Sequence, residues 1–119
     1  MSDKQLLQDA AKAAGIKLVF DPDGLPRDCT DMEPAMNIFS AKVWNPIDDD
    51  GDALRLAVKL RLKIEPYLLR ESTLRVCVAT EAQFTDTDYG FHEDCIADPY
   101  AATRRAIVRA AAEIGRSKT

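Results

Sequence analysis

Three groups of side chains in this sequence have the types and spacing to do chemistry. The first is Asp48-Asp49-Asp50-Gly51-Asp52, a carboxylate run of the kind that chelates hard cations. A calcium loop of the EF-hand type needs oxygen ligands at its first, third and fifth positions, glycine at the sixth and glutamate at the twelfth. Counted from Asp48, the sixth and twelfth positions hold Ala53 and Lys59, so the pattern fails. The competing role is electrostatic. Acids at a helix N-terminus complement the positive end of its dipole, each by about 0.3–1 kcal/mol when exposed. The run is therefore read as a helix start, with one Asp as the N-cap and no bound metal.

The second group is His92-Glu93-Asp94-Cys95, to which Cys77 and Cys29 could add two zinc ligands. No Cys-x-x-Cys pair is present, and the spacings match no zinc module. The Pro-Cys-x-x-Cys half of a zinc deaminase is missing as well. His92 is the one histidine of the chain, so any histidine-dependent catalysis must pass through it, with Cys95 or Cys77 as nucleophile. No Gly-x-Ser-x-Gly elbow and no glycine-rich phosphate loop occur. The sequence thus predicts no enzyme, no cofactor and no catalytic residue.

The third group is Arg104, Arg105, Arg109, Arg116 and Lys118. On a helix, Arg105 and Arg109 stand one turn apart and can grip one phosphate together. The alternative is a solvated face complementing the negative helix C-terminus. The candidate ligand- or partner-binding residues are accordingly Arg104, Arg105, Arg109, Asp48, Asp49 and Asp50.

These groups sit on a chain of 119 residues, enough for one domain with its own core. A hydrophobic fraction of 46% and a charged fraction of 30% suit a soluble globule. The net charge of −4 is uneven: residues 1–52 carry 11 acids and 5 bases, residues 53–119 carry 9 acids and 11 bases. An acidic chain is a poor direct binder of DNA or RNA, and its acidic half suits a basic protein partner instead. The expected partners are thus a protein and, as a further option, a second copy in a homodimer. Three cysteines favour a reducing cytoplasm over a disulfide framework. No apolar run is long enough for a membrane helix, and residues 1–5 lack the features of a signal peptide.

The positioning elements follow from periodicity. Leu6, Leu7, Ala10, Ala11 and Ala14 predict a helix over 3–14, started by Ser2 or Asp3 and ended by Gly15. Residues 16–20 alternate as a strand, closed by the Asp21-Pro22-Asp23-Gly24 turn. Residues 25–37 carry no period and are expected as a surface loop; 36–44 are expected as a strand. A second helix spans 48–61, burying Ala53, Leu56, Ala57 and Leu60 and exposing Asp52, Arg55 and Lys59. A short strand over 62–65 is expected to stop at Pro66. Residues 72–80 form the clearest strand, with a turn over 85–90 and a return over 91–96. The last helix starts at Asp98-Pro99 and ends at Gly115, its core side lined by Tyr100, Thr103, Ile107, Ala110 and Ile114. Trp44 is expected to pack under the helix that follows it. The fold class is α+β: a mostly antiparallel sheet of 3–5 strands packed with about three helices, sandwich-like. It forms one domain over residues 1–116 with a short tail at 117–119.

Two of these segments carry a resemblance. Trp44, Pro46, Asp52, Ala53, Leu56, Lys59 and Leu60, then Thr103, Arg104, Ala106, Ile107 and Arg109, resemble small bacteriophage and prophage proteins of the NinX and phage ABA-sandwich type. Those proteins pair a Trp-x-Pro turn and short helix with a late Ala-Thr-Arg-Arg-Ala-Ile helix. The matching covers residues 44–60 and 98–115, and residues 1–15 look like their N-terminal helix. The resemblance implies an α-plus-β sandwich of phage origin and supplies no catalytic residue. The expected function is a small accessory protein acting by protein binding in the host cytoplasm, as an inhibitor of a host or anti-phage defence protein. The alternative is a nucleotide or second-messenger module using Arg104, Arg105 and Arg109.

Overall fold

Ser2 starts the first helix, α1 (Asp3–Ala14), by accepting the Gln5 N–H on its hydroxyl at 3.2 Å; Gly15 ends it in left-handed backbone at φ 72°. The computed structural model describes residues 2–33, 36–69, 73–80, 91–95 and 97–118. The chain then builds a small antiparallel sheet from β1 (Leu18–Phe20), β2 (Pro26–Asp28) and β3 (Lys42–Val43), in that spatial order. β1 is shorter than the alternation over 16–20 predicts. The Ile16 N–H is taken by the Ala11 carbonyl at 2.9 Å and the Lys17 N–H by the Thr30 hydroxyl at 3.0 Å, so neither N–H joins the ladder, although the Lys17 carbonyl accepts the Cys29 N–H at 2.8 Å. Conversely, β2 forms inside the expected loop 25–37. The strand expected over 36–44 is mostly a 3-10 turn (Ile38–Ser40) capped by Asn37, leaving only two residues for β3. Pairing to β1 and β3 makes β2, while local hydrogen bonds to Asn37 and Ile38 make the 3-10 turn, and no side-chain period announces either.

Asp49 caps α2 (Asp50–Lys59), accepting the Asp52 N–H at 2.8 Å. A tight turn through Arg61, at φ 55°, leads into a second antiparallel sheet. Its strands are β4 (Leu62–Leu69), β5 (Thr73–Thr80) and β6 (Phe91–Asp94), in the order β4-β5-β6. β4 does not stop at Pro66 but runs through it. Among the described residues β4 is an edge strand, where a missing N–H is tolerated. The turn expected over 85–90 lies outside the described residues.

Asp98 caps α3 (Pro99–Ser117), its carboxylate accepting the N–H groups of Tyr100 and Ala101. This helix is the centre of the fold: it touches α1, α2 and all three strands of the second sheet. Gly115 does not end it. A Cβ there would lie 1.8 Å from the Asp9 carbonyl oxygen, so this glycine is what lets α1 and α3 approach. Contacts from Arg105 to Asp3, from Arg116 to Asp9 and from Lys118 to Ala13 show the two helices running parallel.

The core gathers Leu6, Leu7, Ala10, Ala11 and Ala14 of α1, Val76 and Val78 of β5, Ile107, Val108 and Ala111 of α3, and Leu56 of α2, with Trp44 beneath. The architecture is therefore α+β with three helices, built on two three-stranded sheets rather than one. Two side chains depart from the predicted stripes. Tyr100 is 71% exposed, because the first turn of α3 stands clear of the core. Asp52 is buried rather than solvated: it accepts the Asn45 N–H at 3.0 Å and Arg55 at 2.7 Å, pinning the Trp44-Asn45-Pro46 turn onto α2.

Candidate functional site

The arginines of α3 do not form one stripe. At about 100° per residue, Arg104 leaves one side of the helix while Arg105, Arg109 and Arg116 leave the other. Each side borders its own groove.

Arg104 turns toward α2. Its Nη1 donates to Asp50 at 2.6 Å and its Nε to the Ile47 carbonyl at 2.7 Å, so the guanidinium clasps the start of α2 to α3. Above this clasp lies a groove of about 250 Å³, lined by Asp50, Ala53, Leu54, Ile64, Tyr100, Thr103, Arg104 and Ile107. Leu54 is 60% exposed, and Val58, one turn along α2, is 69% exposed. Together with Tyr100 they stand on the side of α2 and α3 away from the core. Sequence reasoning missed this trio. The available signal was the i, i+4 pair Leu54 and Val58, which falls outside the Ala53-Leu56-Ala57 stripe and has no buried purpose.

The acidic run is used locally. Asp48 accepts the Asn45 side-chain amide at 3.1 Å, Asp49 caps α2, and Asp50 pairs with Arg104. All three stay exposed, and Asp50 lines the apolar groove beside its partner Arg104.

On the opposite side of α3, Arg105, Arg109 and Arg116 line a larger groove of about 380 Å³ with Leu6, Phe91 and Glu93. Arg109 Nη1 donates to Glu93 Oε1 at 2.8 Å, and Arg105 Nε lies 3.9 Å from that same oxygen. Arg105 also donates to Asp3 at 3.1 Å, and Arg109 to the His92 carbonyl at 3.3 Å. Arg116 is held by Glu113 at 2.5 Å and lies 3.6 Å from Asp9. The Arg109 guanidinium sits over the Phe91 ring at 5.1 Å. Phe91 and Glu93 join this site through the packing of β6 against α3, and Leu6 through that of α1.

The thiols and the histidine are arranged differently from the His92–Cys95 pairing. The register of β5 with β6 sets Cys77, not Cys95, directly opposite His92, and Glu65 of β4 opposite Cys77. His92 Nδ1 is hydrogen-bonded to the Tyr67 hydroxyl at 2.8 Å. Burial, reinforced by the Glu65 carboxylate, pushes the Cys77 thiol above its ordinary value. A thiol held protonated is a poor nucleophile. Cys95 Sγ donates weakly to the Glu93 carbonyl at 3.9 Å, and Cys29 is buried beside β2 in the first sheet. Among the described residues no three His, Cys, Asp or Glu side chains converge as metal ligands, and no helix is long and apolar enough to cross a membrane.

No family model matches this chain, and no curated protein or solved structure matches it.

Proposed function

We propose that this protein works by binding another protein through the α2–α3 groove. The observation that carries this reading is the exposure of Leu54 and Tyr100 at a groove walled by Ala53, Ile64 and Ile107, with exposed Val58 one turn from Leu54 along α2. Large apolar side chains clustered at a surface concavity cost solvation unless a partner covers them, and such patches mark interaction sites. The exposed Asp48 and Asp49, next in the chain to the groove's Asp50, favour a partner with an apolar anchor flanked by lysine or arginine. The resemblance of residues 44–60 and 98–115 to NinX-type proteins supports a phage- or prophage-encoded accessory protein in the host cytoplasm. The partner is then a host or defence protein that this binding inhibits.

Site-specific photo-crosslinking in host cells tests the reading. A photoreactive residue at position 54 is expected to give a discrete adduct with one other protein, and Tyr100→Asp to abolish it. A probe at exposed Glu113, across the molecule, should not give that adduct. The reading fails if position 54 yields no adduct beyond those seen at 113, or one with the mass of two copies of this chain.

A further inference from the structure

The geometry points to a second binding function, on the other side of α3. The groove lined by Arg105 and Arg109 captures a phosphate ester with a flat apolar body, about the size of a mononucleotide. It uses none of the residues of the protein-docking groove, so the two readings stand or fall separately.

Each guanidinium carries five N–H donors in a fixed fork. Arg105 places Nη1 on Asp3 and directs Nε toward Glu93; Arg109 places Nη1 on both the His92 carbonyl and Glu93. The Nη2 groups of both arginines, and Nε of Arg109, make no hydrogen bond or ion pair with a described residue. The two side chains are 40% and 37% exposed, and both line the groove.

Both cations approach one oxygen, Glu93 Oε1, so their forks point at one place. Asp3 and Glu93 hold the guanidiniums there, and that positioning reduces the entropy a ligand must remove. A carboxylate offers one negative charge and two oxygens. A phosphomonoester offers nearly two charges and three oxygens, which suits paired arginines better.

The apolar part has its own place. Leu6 and Phe91 line the groove, and Phe91 supports one face of the Arg109 guanidinium. A planar ring can stack on the guanidinium's other face. The volume of about 380 Å³ lies in the range of small-ligand sites.

Calorimetric titration with AMP, inorganic phosphate and adenosine at low salt tests this. AMP is expected to saturate, phosphate to bind more weakly, and adenosine to give no saturable signal. Arg109→Gln is expected to weaken AMP by about tenfold or more. Arg105→Gln, which leaves the Arg109–Glu93 pair in place, should weaken it similarly, so the test survives if one variant fails to fold. The proposal is overturned if AMP shows no saturable binding at millimolar concentration, if adenosine binds as well as AMP, or if a folded Arg105 or Arg109 variant binds AMP like the parent. None of these results bears on the crosslink at position 54.

Discussion

Arg104 Nη1 lies 2.6 Å from Asp50 Oδ1, while Nε of the same guanidinium donates to the Ile47 carbonyl at 2.7 Å. The two contacts are unequal. The Asp50 side chain is 74% exposed, so its ion pair is screened. The Ile47 carbonyl is partly buried and loses its donor if Arg104 is shortened. Arg104→Gln should therefore cost about 1–3 kcal/mol, and Asp50→Asn less than about 1 kcal/mol. Urea denaturation of both variants checks this; equal losses would show that the carbonyl contact contributes nothing.

Gly115 and Gly51 should differ sharply in their response to alanine. At Gly115 the new methyl meets the Asp9 backbone at 1.8 Å, and backbone cannot swing aside. The helices must part, at a cost of about 3 kcal/mol. At Gly51 the nearest atoms belong to the Arg55 side chain, at 3.1 Å, which can move. That change should stay within about 0.5 kcal/mol. Thermal unfolding of the two alanine variants side by side decides the matter.

Asp52→Ala is expected to be among the costliest single changes in α2, at about 2–3 kcal/mol. It strands the Asn45 N–H and releases Arg55 at once. Asp49→Ala removes a cap and a 3.9 Å exposed pairing with Arg55, at about 1 kcal/mol. A larger loss for Asp49 than for Asp52 in chemical denaturation would reverse this ordering.

Asp21 should make folding acid-sensitive. Burial pushes its carboxyl up, but hydrogen bonds from the Leu25 N–H, Arg27 and the Asp23 N–H outweigh burial, and its acidity ends below the usual carboxylate value. A carboxyl whose folded value lies below its unfolded value of about 3.9 binds a proton less readily when folded. Its contribution is full above that unfolded value and is lost as pH falls through the folded one. Asp21→Asn should therefore be less stable than the parent at neutral pH, with the gap closing in acid. A gap independent of pH would show that Asp21 acts without its charge.

Leu54→Ser and Tyr100→Ser should leave stability within about 0.5 kcal/mol, since neither side chain is in the core. Both should still lose the partner captured at the α2–α3 groove. If either change lowers the melting temperature by many degrees, that side chain packs within the fold and is not reserved for a partner.

What could be read from the sequence was local chemistry. Ser2, Asp49 and Asp98 cap their helices because an oxygen beside free N–H groups needs no tertiary information. Gly115, Asp52 and Tyr100 were misjudged for the opposite reason. A glycine late in a helix looks like a stop until another helix is seen lying against it, and an aspartate on α2 looks solvated until the Asn45 amide is found above it. At the candidate sites the residue types were legible and their allegiance was not. Arg104 and Arg105 are neighbours in the chain, yet helical geometry sends one to Asp50 and the other to Asp3.

The parallel seam between α1 and α3 has a kinetic consequence. Ala10, Ala11 and Ala14 have their mates in the last helix of the described chain, so their shelter depends on contacts closed across nearly the entire sequence. Long-range closure slows folding. A nascent chain leaving the ribosome carries α1 as a wet, unsupported helix until α3 emerges behind it. Maturation of this domain is therefore a late, all-or-none event, and a truncation before α3 would leave a sticky fragment in place of a smaller working protein.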